Sequence, residues 1–327
     1  MNKEIERKDT TMCTCITYTN NDFYFGRNLD LDCSFGETVT ITPRNFPLIF
    51  RKAGRQDHHY AMIGMASASG SFPLYAEAVN EKGLAMAGLN FPGNAYYQIP
   101  DGEGLEIASF EVIAWILGKC ASVAEAEEYL DKMKIVDLAF SDQMPPAPLH
   151  WMLADRERCL VLEAVREGLK VYDDPFGVLT NNPPFEYHRM NMNNYMNLTA
   201  ESPRNRFADR LGLKPYAQGM GAIGLPGDAS SASRFVRAAF LRWNSVASEE
   251  ENANVSQFFH ILDSVAMVRG AVVTEQGTYD ITTYSCCANT RTGIYYYKTY
   301  DDCRIRAVDM HEADLDGKAL TLKPLTF

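Results

Sequence analysis

Residues 12–30 read MCTCITYTNNDFYFGRNLD. Two strand-favouring runs, CITY and FYFGR, flank Asn20-Asn21-Asp22, the composition of a tight turn, so the stretch predicts an antiparallel hairpin. Its start also poses a chemical question. Met12 stands directly before Cys13, as an initiator methionine would, yet the polar run MNKEIERKDTT precedes it. A free thiol ionises at about 8.5 and needs a nearby base or cation to become a good nucleophile. Were Cys13 the first residue of a mature chain, its own α-amino group, with a pKa of about 7.7–8.0, would lie one short covalent arm from the sulfur. One residue would then supply nucleophile and base. Taken alone, the cysteine reads rather as the start of a buried strand, where small cysteines are common.

The rest of the chain sets bounds on this reading. Its 327 residues suffice for a sizeable core, and with 46% hydrophobic and 22% charged residues the composition is that of a globular protein. A net charge of −11 with no clustered basic face argues against nucleic acid as a partner. No apolar run reaches the about 18 residues of a membrane span, and the N-terminus lacks a secretory h-region. Eight cysteines without a signal peptide read as reduced thiols, so the expected location is the cytoplasm.

Short strand-like runs dominate the first ninety residues, among them ETVTITP, YAMIGMA, PLYAEAVN and GLAMAGLN. The apolar stretch 104–120 predicts a buried helix. Ser122-Val123-Ala124-Glu125 is a capping box, and Val123, Ala126, Leu130 and Met133 recur behind it at helical spacing. Strands are expected at 150–154, 159–163 and 168–172. Helices follow from about 231 and over 255–269, and ITTYSCC, GIYYYKTY and RIRAVDM close the chain as strands. With no Pro/Gly/Ser-rich linker, the pattern is one α+β domain whose helices cover antiparallel sheets.

Several apparent motifs carry little. Residues 219–224, GMGAIG, match G-x-G-x-x-G, but Leu225-Pro226-Gly227 interrupts the helix that a dinucleotide loop requires. Cys286 and Cys287 adjoin in a strand, so their side chains point to opposite faces and cannot clamp one metal ion. His58-His59 lack a third ligand at metal-site spacing, and His150 and His260, set in apolar runs, read as packing histidines. There is no H-E-x-x-H, Walker loop or G-x-S-x-G. Neither metal nor cofactor is expected.

Nine ordered blocks are more specific: MCTCITY, YFGRNLD, VTITPRNFPL, NEKGLAMAGLNFPG, PLHWMLAD, VLTNNPPFEYH, GLPGDASSASRFVRAAF, FFHILDSVAMVRG and GIYYYKTYD. Together they resemble the choloylglycine hydrolase family, within it bile salt hydrolases most, from Cys13 to beyond residue 310. The resemblance implies an N-terminal nucleophile hydrolase with a four-layer αββα sandwich, two stacked antiparallel sheets flanked by helices. Residues 13–327 would form that single domain, and residues 1–12 an extension absent from or removed in the active form. The implied reaction cleaves the amide between a bile acid and glycine or taurine through a thioester on Cys13.

In the same resemblance Cys13 is the nucleophile, with its α-amine carrying the proton. Arg27 stands beside the thiol, where a cation would favour thiolate, and Asp30 holds the amine. Strict strand alternation puts Arg27 and Asp30 on opposite faces, so a bend is expected between them. Asn181 resembles the oxyanion donor through its side-chain amide, Asn90 its backbone partner, and Arg234 a second arginine of the charge network. Leu29, Met65 and Ala68 in the 65–70 loop, and Phe140 resemble pocket-lining positions around a small-molecule substrate. The family also implies a homotetramer. Penicillin V acylase shares this pattern but tends to carry tyrosine where this chain has Asn90. A chain whose Cys13 stays blocked by residues 1–12 would instead be a non-catalytic steroid or lipid carrier.

Overall fold

The computed structural model describes residues 12–68 and 72–325. The expected N-terminal extension up to Thr11, and Ser69 and Gly70 of the 65–70 loop, lie outside the described residues. Numbering strands in chain order, one antiparallel sheet runs β14 (Val178–Leu179), β1 (Met12–Thr19), β2 (Phe23–Leu31), β15 (Ile281–Asn289), β16 (Ile294–Thr299) and β17 (Arg306–Asp309). A second runs β13 (Gly168–Asp173), β12 (Cys159–Val165), β11 (Leu149–Ala154), β8 (Ala85–Asn90), β7 (Leu74–Asn80), β6 (Met62–Ser67), β3 (Glu37–Thr42) and β18 (Thr321–Pro324). Two small ribbons pair β4 (Leu48–Phe50) with β5 (Gly54–Gln56), and β9 (Leu105–Ala108) with β10 (Met133–Val136).

The two sheets stack face to face. Their inner faces share one core, which holds Cys15, Phe25, Val39, Ile63, Met152 and Cys286. Helices α4 (Ser231–Asn244) and α5 (Glu251–Asp263) cover the outer face of the first sheet; α1 (Val112–Lys119) and α2 (Val123–Leu130) cover that of the second, over Met86, Trp151 and Leu162. The result is the αββα sandwich, with a short α3 (Phe185–Asn191) beside β14. No helix among the described residues is long and apolar enough to cross a membrane.

The hairpin forms as read, with Met12 to Thr19 facing Asp30 to Phe23 in unbroken register. Gly26 is required there, because a Cβ would lie 2.0 Å from the Cys286 carbonyl. Cys286 and Cys287 do face opposite ways: Cys286 joins Glu77 and Tyr295 between the sheets, while Cys287 lies nearer Glu251 of α5. The expected capping box is half kept: Ser122 Oγ accepts the Glu125 N–H at 3.2 Å, while the Glu125 carboxylate accepts from the Ala121 N–H, one residue earlier, at 2.8 Å. Three expectations are corrected. Stretch 104–120 is not one helix: its first third is β9, paired in parallel with β10, and only Val112 onward is α-helical. Met133 opens that partner strand rather than extending α2. Helix α5 runs from Glu251 to Asp263, earlier at both ends than 255–269.

Candidate active site

Strand β1 passes between α4 and the second sheet, so its alternating side chains meet two environments. Cys13 is opposite Leu29, and Cys15 opposite Arg27. These odd-numbered residues face the second sheet: Arg27 Nη1 donates to the carbonyls of Gly88 (2.5 Å) and Ala76 (3.3 Å). Ala76 has a free carbonyl because it is the extra residue of a bulge, Met65 pairing with Glu77 and Ala66 with Tyr75. The even-numbered residues face the helices: Thr14 Oγ1 accepts from Arg234 of α4 at 2.7 Å, and Asn28 Nδ2 donates to the Leu262 carbonyl of α5 at 2.8 Å.

The alternation is therefore kept, and no bend brings Arg27 and Asp30 together. They lie on opposite faces of β2, Arg27 on the face of the Cys13 sulfur and Asp30 on the face of the helices. Arg27 lies with the sulfur, and its charge pulls the thiol pKa down. Asp30, opposite Met12, lies on the other face one residue from the Cys13 nitrogen. One carboxylate oxygen of Asp30 accepts from Thr282 Oγ1 at 2.6 Å; the other is buried with no partner among the described residues. Burial pushes the Asp30 carboxyl up to about 6.

Asn181 follows β14, the two-residue edge strand zipped to β1 by Cys15–Leu179 and Ile16–Val178. Its Oδ1 accepts from the Cys13 backbone N–H (2.8 Å) and from Arg234 Nη2 (2.8 Å), which fixes its Nδ2 as the donor to the Asn90 carbonyl (2.8 Å). Arg234 also donates from Nη1 to the Cys13 carbonyl. The Asn90 backbone N–H bonds to the Cys13 thiol. Cys13, Arg27, Asp30, Asn90, Asn181 and Arg234 thus form one buried constellation.

Sequence reasoning expected the cation to favour thiolate. Arg27, the Asn90 N–H and Arg234 do lower the thiol pKa, but burial outweighs them and the net displacement is upward. At rest the sulfur carries its proton. Arg27 has an anionic partner that the sequence reading missed: Glu77 lies 3.8 Å from its Nε and accepts from Tyr284 (2.8 Å) and Tyr295 (2.6 Å). PLYAEAVN reads only as a strand-like run; the stacking of the sheets shows that its Glu77 faces Arg27.

The sulfur opens onto a cavity of about 270 Å³ whose apolar wall includes Leu29, Leu31, Phe35, Tyr75 and Leu149. Of the four positions expected to line a pocket, Leu29 is among the described residues that line this cavity and Met65, Ala68 and Phe140 are not. Met65 points into the core between the sheets, fully buried. Ala68 ends the described part of its loop. Phe140 packs edge-on against Phe110, with centroids 5.2 Å apart, beneath the Arg51 guanidinium. Among the described residues, no group of His, Cys, Asp and Glu could hold a metal ion.

Comparison with known proteins gives a consistent picture. The family model described as linear amide C–N hydrolases, choloylglycine hydrolase family, matches residues 13–323. A bile salt hydrolase/transferase of Lactiplantibacillus plantarum is 49% identical over 314 residues, 96% of this chain and 97% of that protein. A crystal structure of a variant of conjugated bile acid hydrolase from Clostridium perfringens superposes with a TM-score of 0.89 at 36% identity, covering 96% of this chain and 97% of that one. Penicillin V acylase from Agrobacterium tumefaciens, 20% identical with a TM-score of 0.74 over 95% of this chain and 90% of its own, shares the fold.

Proposed function

The chain belongs to the choloylglycine hydrolase family of linear amide C–N hydrolases, and from that premise we propose that it hydrolyses the amide joining a bile acid to glycine or taurine through a thioester on Cys13. What supports the reading above all is the division of one residue between two faces of β1. Its sulfur lies beside Arg27 on the cavity side; its nitrogen donates to Asn181 Oδ1, and Asp30 stands opposite the preceding residue, Met12, on the helix side.

For catalysis Cys13 must lead the chain, either because translation begins at Met12 and the methionine is trimmed or because the Met12–Cys13 bond is cut. The freed amine then stays within reach of Asn181 Oδ1, and its ammonium form gives Asp30's unpartnered oxygen a donor. A buried, protonated thiol needs its proton removed as it attacks, and an amine of pKa about 8 is matched to that task. The tetrahedral oxyanion accepts from the Asn90 N–H and from the second N–H of the Asn181 amide, whose first is held by the Asn90 carbonyl. Collapse expels glycine or taurine, which takes the proton from the Cys13 amine. Water then attacks the thioester and releases the bile acid. The relative named hydrolase/transferase suggests that an amine can replace water in this last step, since the thioester carbonyl accepts either nucleophile.

The apolar wall takes the steroid, and Arg27 stays buried as an electrostatic support. Residues 13–327 act as one catalytic domain in the cytoplasm, assembled as a homo-oligomer; light scattering tests the last point. The function is tested by acid-quenching purified enzyme with glycocholate. Release of cholate and a Cys13 adduct of cholate mass less water are expected. Turnover without that adduct, on a burst timescale, overturns the thioester route, and no turnover overturns the substrate.

A further inference from the structure

The two halves of the proposed oxyanion site come from different sheets, and two buried histidines, one from the second sheet and one from α3, hold the Asn181 half. Asn90 ends β8 in the second sheet, whereas Asn181 follows β14 at the edge of the first. His150 of β11 places Nε2 at 2.9 Å from the Thr180 carbonyl, and His188 of α3 places Nε2 at 3.0 Å from the Asn181 carbonyl. A carbonyl oxygen only accepts, so each contact assigns the proton to Nε2.

These two acceptors belong to the peptide groups on either side of the Asn181 α-carbon. Pinning both fixes the φ and ψ of that residue. The Asn181 N–H, given to Ser231 Oγ at 2.9 Å, is a third tie. Together they aim the Cα–Cβ bond, and with it the side-chain amide. The rings are themselves locked. His150 stacks on Phe91, next in the chain to Asn90, with centroids 4.3 Å apart and planes within 4°. Its Nδ1 lies 3.3 Å from Glu163 Oε1, and the same oxygen accepts the Phe185 N–H at 2.9 Å. His188 stacks on Phe235, next in the chain to Arg234, at 4.8 Å and 17°. Burial holds the His188 pKa down at about 4, so it remains a neutral N–H donor at neutral pH.

We propose that His150 and His188 are positioning residues for amide hydrolysis, clamping the two carbonyls that flank Asn181 so that its amide meets the tetrahedral oxyanion. This rests on the role given to Asn181 above and extends it to residues that touch neither substrate nor sulfur. A misplacement of about 1 Å can cost up to about 10²-fold in rate, so loosening one tie should be visible.

The test uses paired variants of the active enzyme, with glycocholate as substrate and iodoacetamide as a second probe of Cys13. His188→Phe keeps a ring on Phe235 and removes the N–H; His188→Gln keeps an N–H near Nε2 and removes the ring. His188→Phe should lower kcat roughly 10- to 30-fold with little change in KM and leave the alkylation rate unchanged, because displacement of iodide builds no oxyanion. His188→Gln should recover most of the kcat. In an Asn181→Ala background the His188→Phe loss should vanish, since the group it aims is gone. Full kcat in His188→Phe, equal losses of hydrolysis and alkylation, or an additive double mutant would each overturn the proposal. If His188→Phe does not fold, His150→Phe and His150→Gln pose the same question. Should Asn181→Ala itself turn over normally, the oxyanion assignment fails. Should it be crippled while folded histidine variants are not, this inference alone fails.

Discussion

Cys13 and Cys15 lie two residues apart on one strand, face the same way and are both buried, yet their surroundings are opposed. Cys15 is the cross-strand partner of Arg27; if a nearby cation were enough, it would be the activated thiol. Instead its pKa lies well above the ordinary value, because burial and the charges of Glu77 and Asp174 outweigh Arg27. Cys13 meets a smaller upward push, with Arg27, the Asn90 N–H and Arg234 all opposing it, and it borders a cavity. Its nitrogen also sits at the strand's end, where Asn181 reaches it. On the proposed reading, activation is a matter of position along the strand, not of cation proximity alone.

The contrast is broken most severely at the sulfur. Cys13→Ala should lower glycocholate hydrolysis by about 10⁴-fold or more, whereas Cys15→Ala should stay within about threefold. Steady-state rates decide this; comparable losses at the two positions would erase the distinction. Glu77→Leu should come next, as it leaves the Arg27 guanidinium buried without its anion. Breaking such a pair costs about 3–5 kcal/mol, read as a lower midpoint in urea, and an unchanged midpoint would deny the pairing. Asn181→Ala should reduce kcat by about 10²–10³-fold with the fold intact, as expected for a lost oxyanion donor.

A smaller effect belongs to the Cys15 neighbourhood. The Asp174 carboxylate accepts three N–H groups, from Phe176, Gly177 and Val178, in the turn that launches β14. Burial nonetheless pushes its pKa up to about 7. The unfolded value is about 3.9, so the folded state holds this proton more tightly. The stability it contributes is full below about pH 4 and is lost as pH rises through about 7. Asp174→Asn should therefore flatten the fall in melting temperature across that window, leaving the part due to Asp30 and Asp280, which titrate at about 6. An unaltered slope would remove Asp174 from the account.

Much of this was legible where the signal is local. The 12–30 hairpin, the Ser122 cap, α4 and the strands of 149–173 follow from turn composition, capping and periodicity. The 104–120 stretch was not, because a continuous apolar run has no period and β9 exists only through pairing with β10, nearly thirty residues on. Alternation placed Arg27 and Asp30 correctly on opposite faces. The bend was demanded on the assumption that both must serve one atom, when the cysteine offers its sulfur to one face and its nitrogen to the other. Met65 lies outside the cavity because its strand turns it into the core between the sheets, and Phe140 because it packs on Phe110; resemblance of position carries neither fact. Glu77, His150 and His188 act across layers, and no spacing in the chain announces them. An apolar run marks His150 as a packing histidine, and it does stack on Phe91, but it also holds the Thr180 carbonyl.

The central claim is that nucleophile and base are one residue. Its most direct test compares two homogeneous preparations by intact mass and glycocholate turnover: a chain beginning at Cys13, and one whose Cys13 nitrogen remains in a peptide bond to Met12. The first should be active and the second should lose hydrolysis while its thiol stays alkylatable. Undiminished turnover by the uncut chain would show that the proton is carried by some other group.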